Sequence, residues 1–168
     1  EMGLSENLLR GIFSYGYEKP SKVQQRGIVK VSSGQDIICQ SQSGTGKTAT
    51  FSIGSIQRVD LDNKHTQILM LAPTRELAKQ ICDVVTKLSS YLGVTTHLCI
   101  GGQSLDVNIK ALDKGAQIVV GTPGRVYVLP TWILRLPPLE AILLLHCSAS
   151  VISLLCWIVQ LTIQVMKN

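Results

Sequence analysis

The chain has 168 residues, enough for one domain with its own core. Its formal net charge is +5, mildly basic and compatible with a polyanionic partner, while 45% hydrophobic and only 16% charged residues exclude a fully solvated, disordered chain. Five cysteines (Cys39, Cys82, Cys99, Cys147, Cys156) form no CxxC pair and are odd in number, which argues against a disulfide framework or zinc site and for a reducing compartment. Residues 1–10 show no basic region followed by an apolar run, so no signal peptide is expected and the location expected is cytoplasmic or nuclear.

In chain order, Ser5 opens a short periodic segment (Leu8, Leu9, Ile12) that ends at Gly16. Pro20-Ser21 starts a second helix, carrying Val23, Ile28, Val29 and Val31 and stopped by Gly34. Residues 36–39 read as a short apolar strand entering a glycine loop at 43–46, followed by a helix over 47–59. Residues 67–72 read as a buried strand. The strongest helix spans 74–91, with Leu77, Ala78, Ile81, Val84, Val85 and Leu88 at spacings of three and four. Residues 95–100 form a strand before Gly101-Gly102, 104–112 a helix before Gly115, and 117–120 a strand before Thr122-Pro123-Gly124. Strands alternating with helices predict an α/β fold: a parallel sheet with crossover helices, whose ligands sit at the carboxyl ends of the strands. Each glycine-bearing loop named here follows a strand and is expected on that edge.

The sharpest motif is Ser41-Gln42-Ser43-Gly44-Thr45-Gly46-Lys47-Thr48. A tight glycine turn ahead of a helix aims backbone N–H groups, and the positive end of the helix, at one point suited to a triphosphate. Lys47 would reach the β- and γ-phosphates, and the Thr48 hydroxyl would ligate Mg²⁺. Ser41 stands where the general pattern has glycine.

From Met2 to Arg125, about three quarters of the chain, the sequence resembles the DEAD-box RNA helicases, specifically the eukaryotic initiation-factor four-A group. The run Gln40 to Ile53 is particularly similar to the nuclear, exon-junction branch. The resemblance implies an ATP-binding, RecA-like lobe with helices on both faces of its sheet, the N-terminal one of two. The parent reaction is ATP hydrolysis coupled to RNA unwinding, and the partners implied are RNA and translation-initiation or exon-junction proteins.

The segment Gly16 to Gln24 resembles the family's adenine-reading segment, with Tyr17 packing nearby. A glutamine amide donates and accepts at once and so can pair with adenine N6 and N7 while excluding guanine. Ser21-Lys22-Val23-Gln24 is equally a capping box, in which Gln24 closes a helix end. Pro73-Thr74-Arg75-Glu76-Leu77-Ala78 matches a segment that touches RNA phosphates: Thr74 would cap the helix and Arg75 supply a forked cation. The alternative is that Arg75 and Glu76 are first-turn residues on a solvated face. Gly101-Gly102 would let a nucleic-acid backbone approach closely, or be a plain turn. Thr122-Pro123-Gly124-Arg125 offers another strand end and cation; all these contacts would go to sugar and phosphate and ignore base sequence. The resemblance thus assigns nucleotide contact to Tyr17, Gln24, Ser43, Gly44, Thr45, Gly46, Lys47 and Thr48, with Lys47 and Thr48 catalytic. RNA contact falls to Pro73, Thr74, Arg75, Gly101, Gly102, Thr122, Gly124 and Arg125. His65 and His97 have no partner pattern and read as surface and strand residues.

After Arg125 the likeness stops, and two domains are expected: a partial ATP-binding lobe over 1–125 and an unrelated apolar tail over 126–168. The tail carries only Arg135, Glu140 and Lys167 as charges, and three prolines (Pro130, Pro137, Pro138) would break a helix. The family's Asp-Glu-Ala-Asp is missing; the closest mimic is the apolar run 141–145 followed by His146, an imidazole poorly suited to Mg²⁺. Glu140 precedes that run, and Ser148-Ala149-Ser150 only faintly matches the family's Ser-Ala-Thr. Readthrough or a shifted frame, a segment replacing lost strands, and a membrane anchor are the three readings of the tail, the last disfavoured by seven His, Ser, Thr or Gln among 26 residues. The expectation is a catalytically incomplete helicase lobe. Its alternatives are a non-catalytic ATP- and RNA-binding module and a membrane-tethered fragment.

Overall fold

The computed structural model describes residues 2–130 and 141–144; the readings that fall on 131–140 and 145–168, including His146, the proline pair and the anchor, lie outside the described residues. Helices α1 (Glu6–Ser14), α2 (Lys22–Ser32) and α3 (Lys47–Ile56) come first. Strands and helices then alternate: β1 (Ile68–Leu71), α4 (Arg75–Leu88), β2 (Thr96–Cys99), α5 (Leu105–Asp113), β3 (Ile118–Gly121), α6 (Pro123–Tyr127) and β4 (Ala141–Leu144). All ladders are parallel and the sheet order is β2-β3-β1-β4. Among the described residues, no helix is long and apolar enough to cross a membrane.

β1 and β3 are short apolar runs because both faces of the sheet are covered there, while β2 carries Thr96 and His97 at half-buried positions. Alternation sends Ile68, Met70, Ile118 and Val120 into a cluster with Leu8, Ile28, Ile53 and the α4 stripe Ala78, Ile81, Val85, Leu88. Leu69, Leu71, Val119 and Cys99 pack on the other face with Leu112, Leu129 and Val126, from α5 and the α6 region. α2 and α3 pack closely because two of their residues have no side chain: a Cβ on Gly54 would lie 2.6 Å from Val31 Cβ, and one on Gly27 would strike Thr50.

Two expectations need revision. Residues 36–39 are extended, with Ile37 and Cys39 against the core and Ile38 fully exposed, but they are not a strand. A strand exists only as half of a ladder, and no ladder among the described residues includes this segment. The phosphate loop therefore does not follow a sheet strand. The second revision is at 141–144, where the apolar run pairs with β1 in register, Ile68 with Ala141 through Leu71 with Leu144, and supplies a fourth strand.

Cys99 is fully buried, and burial pushes its thiol up to about 12; Arg125 pulls it back and Cys82 adds to the rise. The unfolded chain ionises this thiol near pH 9.0 while the folded chain keeps it protonated. Stability should fall as pH rises between about 9 and 12, by up to about 1.4 kcal/mol per pH unit. Urea melts from pH 8 to pH 10 should show a shallower decline for Cys99→Ala; equal declines would discount the buried thiol.

Candidate functional site

The phosphate loop closes on α3 through Gly46, which sits in the left-handed region at φ 89 and brings no capping side chain. The first-turn N–H groups of α3 are thus left for an acceptor from outside the helix. Lys47 Nζ lies 2.5 Å from the Ser41 carbonyl oxygen and 2.7 Å from that of Gln42, donating to both. The hydroxyls of Ser41 and Thr45 are 2.6 Å apart, and Thr45 Oγ1 donates to the Gln42 carbonyl at 2.8 Å. Here the lysine satisfies its own loop, and a polyphosphate would have to draw it away.

Ser21 joins this loop to α2, its hydroxyl donating to the Thr45 carbonyl oxygen at 3.1 Å. That tie, between residues 24 apart, had no signal in the sequence, where Ser21 read only as a cap. The cap itself is present: Gln24 N–H donates to Ser21 Oγ at 3.3 Å, and Ser21 N–H donates to Gln24 Oε1 at 2.8 Å. The buried amide does more than cap. Its Nε2 makes no hydrogen bond among the described residues and rests on Gly46, where a Cβ would come within 2.5 Å of it. Tyr17 and Gln24 line one apolar cavity of about 110 Å³ with Pro20, Ile28 and Ile53. The Tyr17 ring lies 4.8 Å from that of Tyr15, and burial, then the Tyr15 charge and hydrogen bond, raise its hydroxyl above the ordinary tyrosine range.

A second site lies on the carboxyl edge of the sheet. Leu71, Gly121 and Cys99 are level across the ladders, so the three loops after β1, β3 and β2 leave the sheet together. They bring Arg75, Gly101, Gly102, Thr122, Gly124 and Arg125 around a cleft of about 340 Å³, with Val128. Thr74 caps α4, its Oγ1 accepting from Leu77 N–H at 3.2 Å, and exposed Pro73 precedes it. Arg75 follows, exposed and with no hydrogen bond among the described residues, its guanidinium laid over the diglycine: a Cβ on Gly101 would come 2.9 Å from it. Arg125 is half-buried, its Nε donating to the Ile100 carbonyl at 3.0 Å and its Nη2 to that of Gln103. The sequence presented both arginines as equivalent phosphate ligands; the structure gives one of them two backbone partners.

His65 is exposed, as expected. His97 does have a partner: its Nε2 is 3.0 Å from Oδ1 of buried Asn108 on α5. Among the described residues no group of three His, Cys, Asp or Glu is placed to hold a metal ion.

A parallel sheet covered on both faces, a glycine loop capping a helix and a cationic carboxyl edge define a RecA-like lobe of the P-loop class. Residues 21–141 match the model of the DEAD/DEAH box helicase family, and the chain belongs to that family. It is 56% identical over 127 residues to the ATP-dependent RNA helicase eIF4A of Lodderomyces elongisporus, which covers 76% of this chain and 32% of that protein. Against the ATP-dependent RNA helicase fal1 of Schizosaccharomyces pombe, identity is 58% over 126 residues, 75% of this chain and 32% of that one. The fold is similar to that of S. cerevisiae Dbp5 bound to RNA and ADP BeF₃, with a TM-score of 0.73 and 34% identity over 86% of this chain and 37% of that one. The chain spans about a third of the length of the curated relatives it matches.

Proposed function

We propose that this chain binds an adenine nucleotide at the loop 41–48 and the sugar–phosphate backbone of RNA across the carboxyl-edge cleft, as the N-terminal lobe (residues 1–125) of an ATP-dependent RNA helicase. The observation that carries the reading is the pairing of two sites: a helix-capping glycine loop with a buried glutamine beside it, and a cationic cleft built from three strand ends. Lys47 and the first-turn N–H groups of α3 take the terminal phosphates; Ser43, Gly44 and Thr45 shape the loop around them. Gln24 reads the base, with Tyr17 walling the cavity. Pro73, Thr74, Arg75, Gly101, Gly102, Thr122, Gly124 and Arg125 form the RNA face.

Magnesium would ride on the phosphate oxygens, with the Thr48 hydroxyl as the protein's contribution; when bound it neutralises phosphate charge. Neither an Asp-Glu-Ala-Asp run nor any other acidic residue follows Arg125 apart from Glu140. The family's groups for organising the metal and orienting the attacking water are therefore missing from this sequence. The activity proposed for the chain is binding without appreciable turnover, and hydrolysis coupled to unwinding belongs to the longer family proteins. Initiation or exon-junction proteins are the partners that follow from the likeness to eIF4A and fal1, and a cytoplasmic or nuclear setting goes with them.

Calorimetry with magnesium ADP tests the nucleotide half, and the absence of heat from folded protein would overturn it. For the RNA half, anisotropy of fluorescein-labelled oligo(U) should fall off with salt, and Arg75→Gln should flatten the log–log slope by about 0.7, the value for one phosphate contact on a single strand. An unchanged slope would remove Arg75 from the interface.

A further inference from the structure

We propose that Arg125 is a positioning residue: its guanidinium fastens the diglycine turn of the RNA cleft, leaving Arg75 as the cation that meets phosphate. The turn Gly101-Gly102 has no side chains to hold it, and Gly102 stands at φ 98, where the chain is free to take many other conformations. The carbonyls that bracket it, Ile100 and Gln103, both accept from the one guanidinium, through Nε and Nη2. A planar fork with fixed donors closes such a bracket; a point charge on a flexible stem does not.

The root of Arg125 is itself anchored. Thr122 N–H donates to the Cys99 carbonyl at 3.1 Å, and both Arg125 and Val126 N–H donate to the Thr122 carbonyl at 3.0 Å, so α6 starts from the end of β2. Gly121 makes the approach possible, because a Cβ there would lie 2.5 Å from the Cys99 carbonyl oxygen. The side chain thus crosses from the β3 loop to the β2 loop. Arg75, reaching the same turn from the β1 loop, is exposed and among the described residues gives no hydrogen bond to protein. The two cations divide the work: one holds the turn's shape, and the other keeps its donors for a ligand.

This inference rests on the RNA reading above for its consequence, and on the free protein for its core, so two measurements are paired. In the full chain without RNA, Arg125→Lys should lower the backbone ¹⁵N order parameters at Gly101, Gly102 and Gln103 from the rigid range of about 0.85 toward 0.6. Unchanged order parameters would overturn the clamp. With labelled oligo(U), Arg125→Lys should weaken binding by about tenfold although the charge is kept, the scale of one charge-assisted hydrogen bond. Arg125→Gln should weaken it with the salt slope unchanged, whereas Arg75→Gln flattens that slope by about 0.7. A slope flattened equally by Arg125→Gln would make Arg125 a phosphate ligand and overturn the division of roles. A residue serving the fold alone would lower the melting temperature and leave RNA affinity of the folded variant intact, which also overturns it. Should the unaltered chain bind no oligo(U), the RNA reading fails and the clamp stands or falls on the order parameters.

Discussion

Replacing Lys47 with alanine is expected to lower the affinity for magnesium ADP by roughly 10- to 100-fold, the scale of losing hydrogen bonds between an ammonium and ionised phosphate. In the free protein the ammonium donates to two neutral carbonyl oxygens, those of Ser41 and Gln42. Phosphate oxygens are ionised acceptors and make the stronger, shorter bonds, so the exchange favours the ligand. Alanine removes the cation and frees those two carbonyls to turn toward water or toward the ligand, where they would repel phosphate. Both effects act against binding. Calorimetry comparing Lys47→Ala with the unaltered chain decides the matter, and affinity within twofold would show that the loop does not hold a polyphosphate.

Much of this fold could be read from spacing. The stripe of Ala78, Ile81, Val85 and Leu88 gave α4, and the caps Ser21 and Thr74 fixed two helix starts to the residue. Apolar tetrads gave β1 and β3, because central strands covered on both faces leave no polar positions, whereas the edge strand β2 keeps Thr96 and His97 half-buried. The failure at 36–39 is instructive for the same reason. Its apolar alternation does correspond to an extended chain with Ile37 and Cys39 inward, but a ladder also needs a partner strand, which tertiary approach supplies and local pattern does not specify. The site residues were legible as types and not as partners. Nothing local distinguishes Arg75 from Arg125, since the bonds of Arg125 go to carbonyls 22 and 25 residues earlier, whose identity is independent of side chain. Likewise His97 has no motif around it because Asn108 meets it across a strand and a helix. Sequence-local signals report what the backbone repeats; these contacts are made by tertiary approach.

Gln24 offers the second large effect, because its two plausible duties fall on different atoms. Oε1 accepts from Ser21 N–H and completes the capping box; Nε2 rests on Gly46, with no hydrogen bond among the described residues. Glutamate at this position keeps the acceptor and loses the donor. Gln24→Glu should therefore retain the cap and lose the ability to donate to adenine N7, while Gln24→Ala loses both and costs about 0.5–2 kcal/mol of stability besides, the usual scale of a lost N-terminal cap. A carboxylate beside the phosphate loop also repels every nucleotide, so absolute affinity is the wrong readout. The ratio of ADP to GDP affinity cancels that repulsion, since both carry the same phosphates. Both purines present N7 as an acceptor and differ at position 6, so the ratio should be at least about tenfold in the unaltered chain, persist in Gln24→Glu, which keeps the acceptor for adenine N6–H, and approach unity in Gln24→Ala, given that a buried acceptor meeting the guanine O6 forfeits about 1–3 kcal/mol. If the alanine variant still preferred ADP, discrimination would have to reside in the cavity walled by Tyr17 and Pro20, and Gln24 would be a helix cap alone.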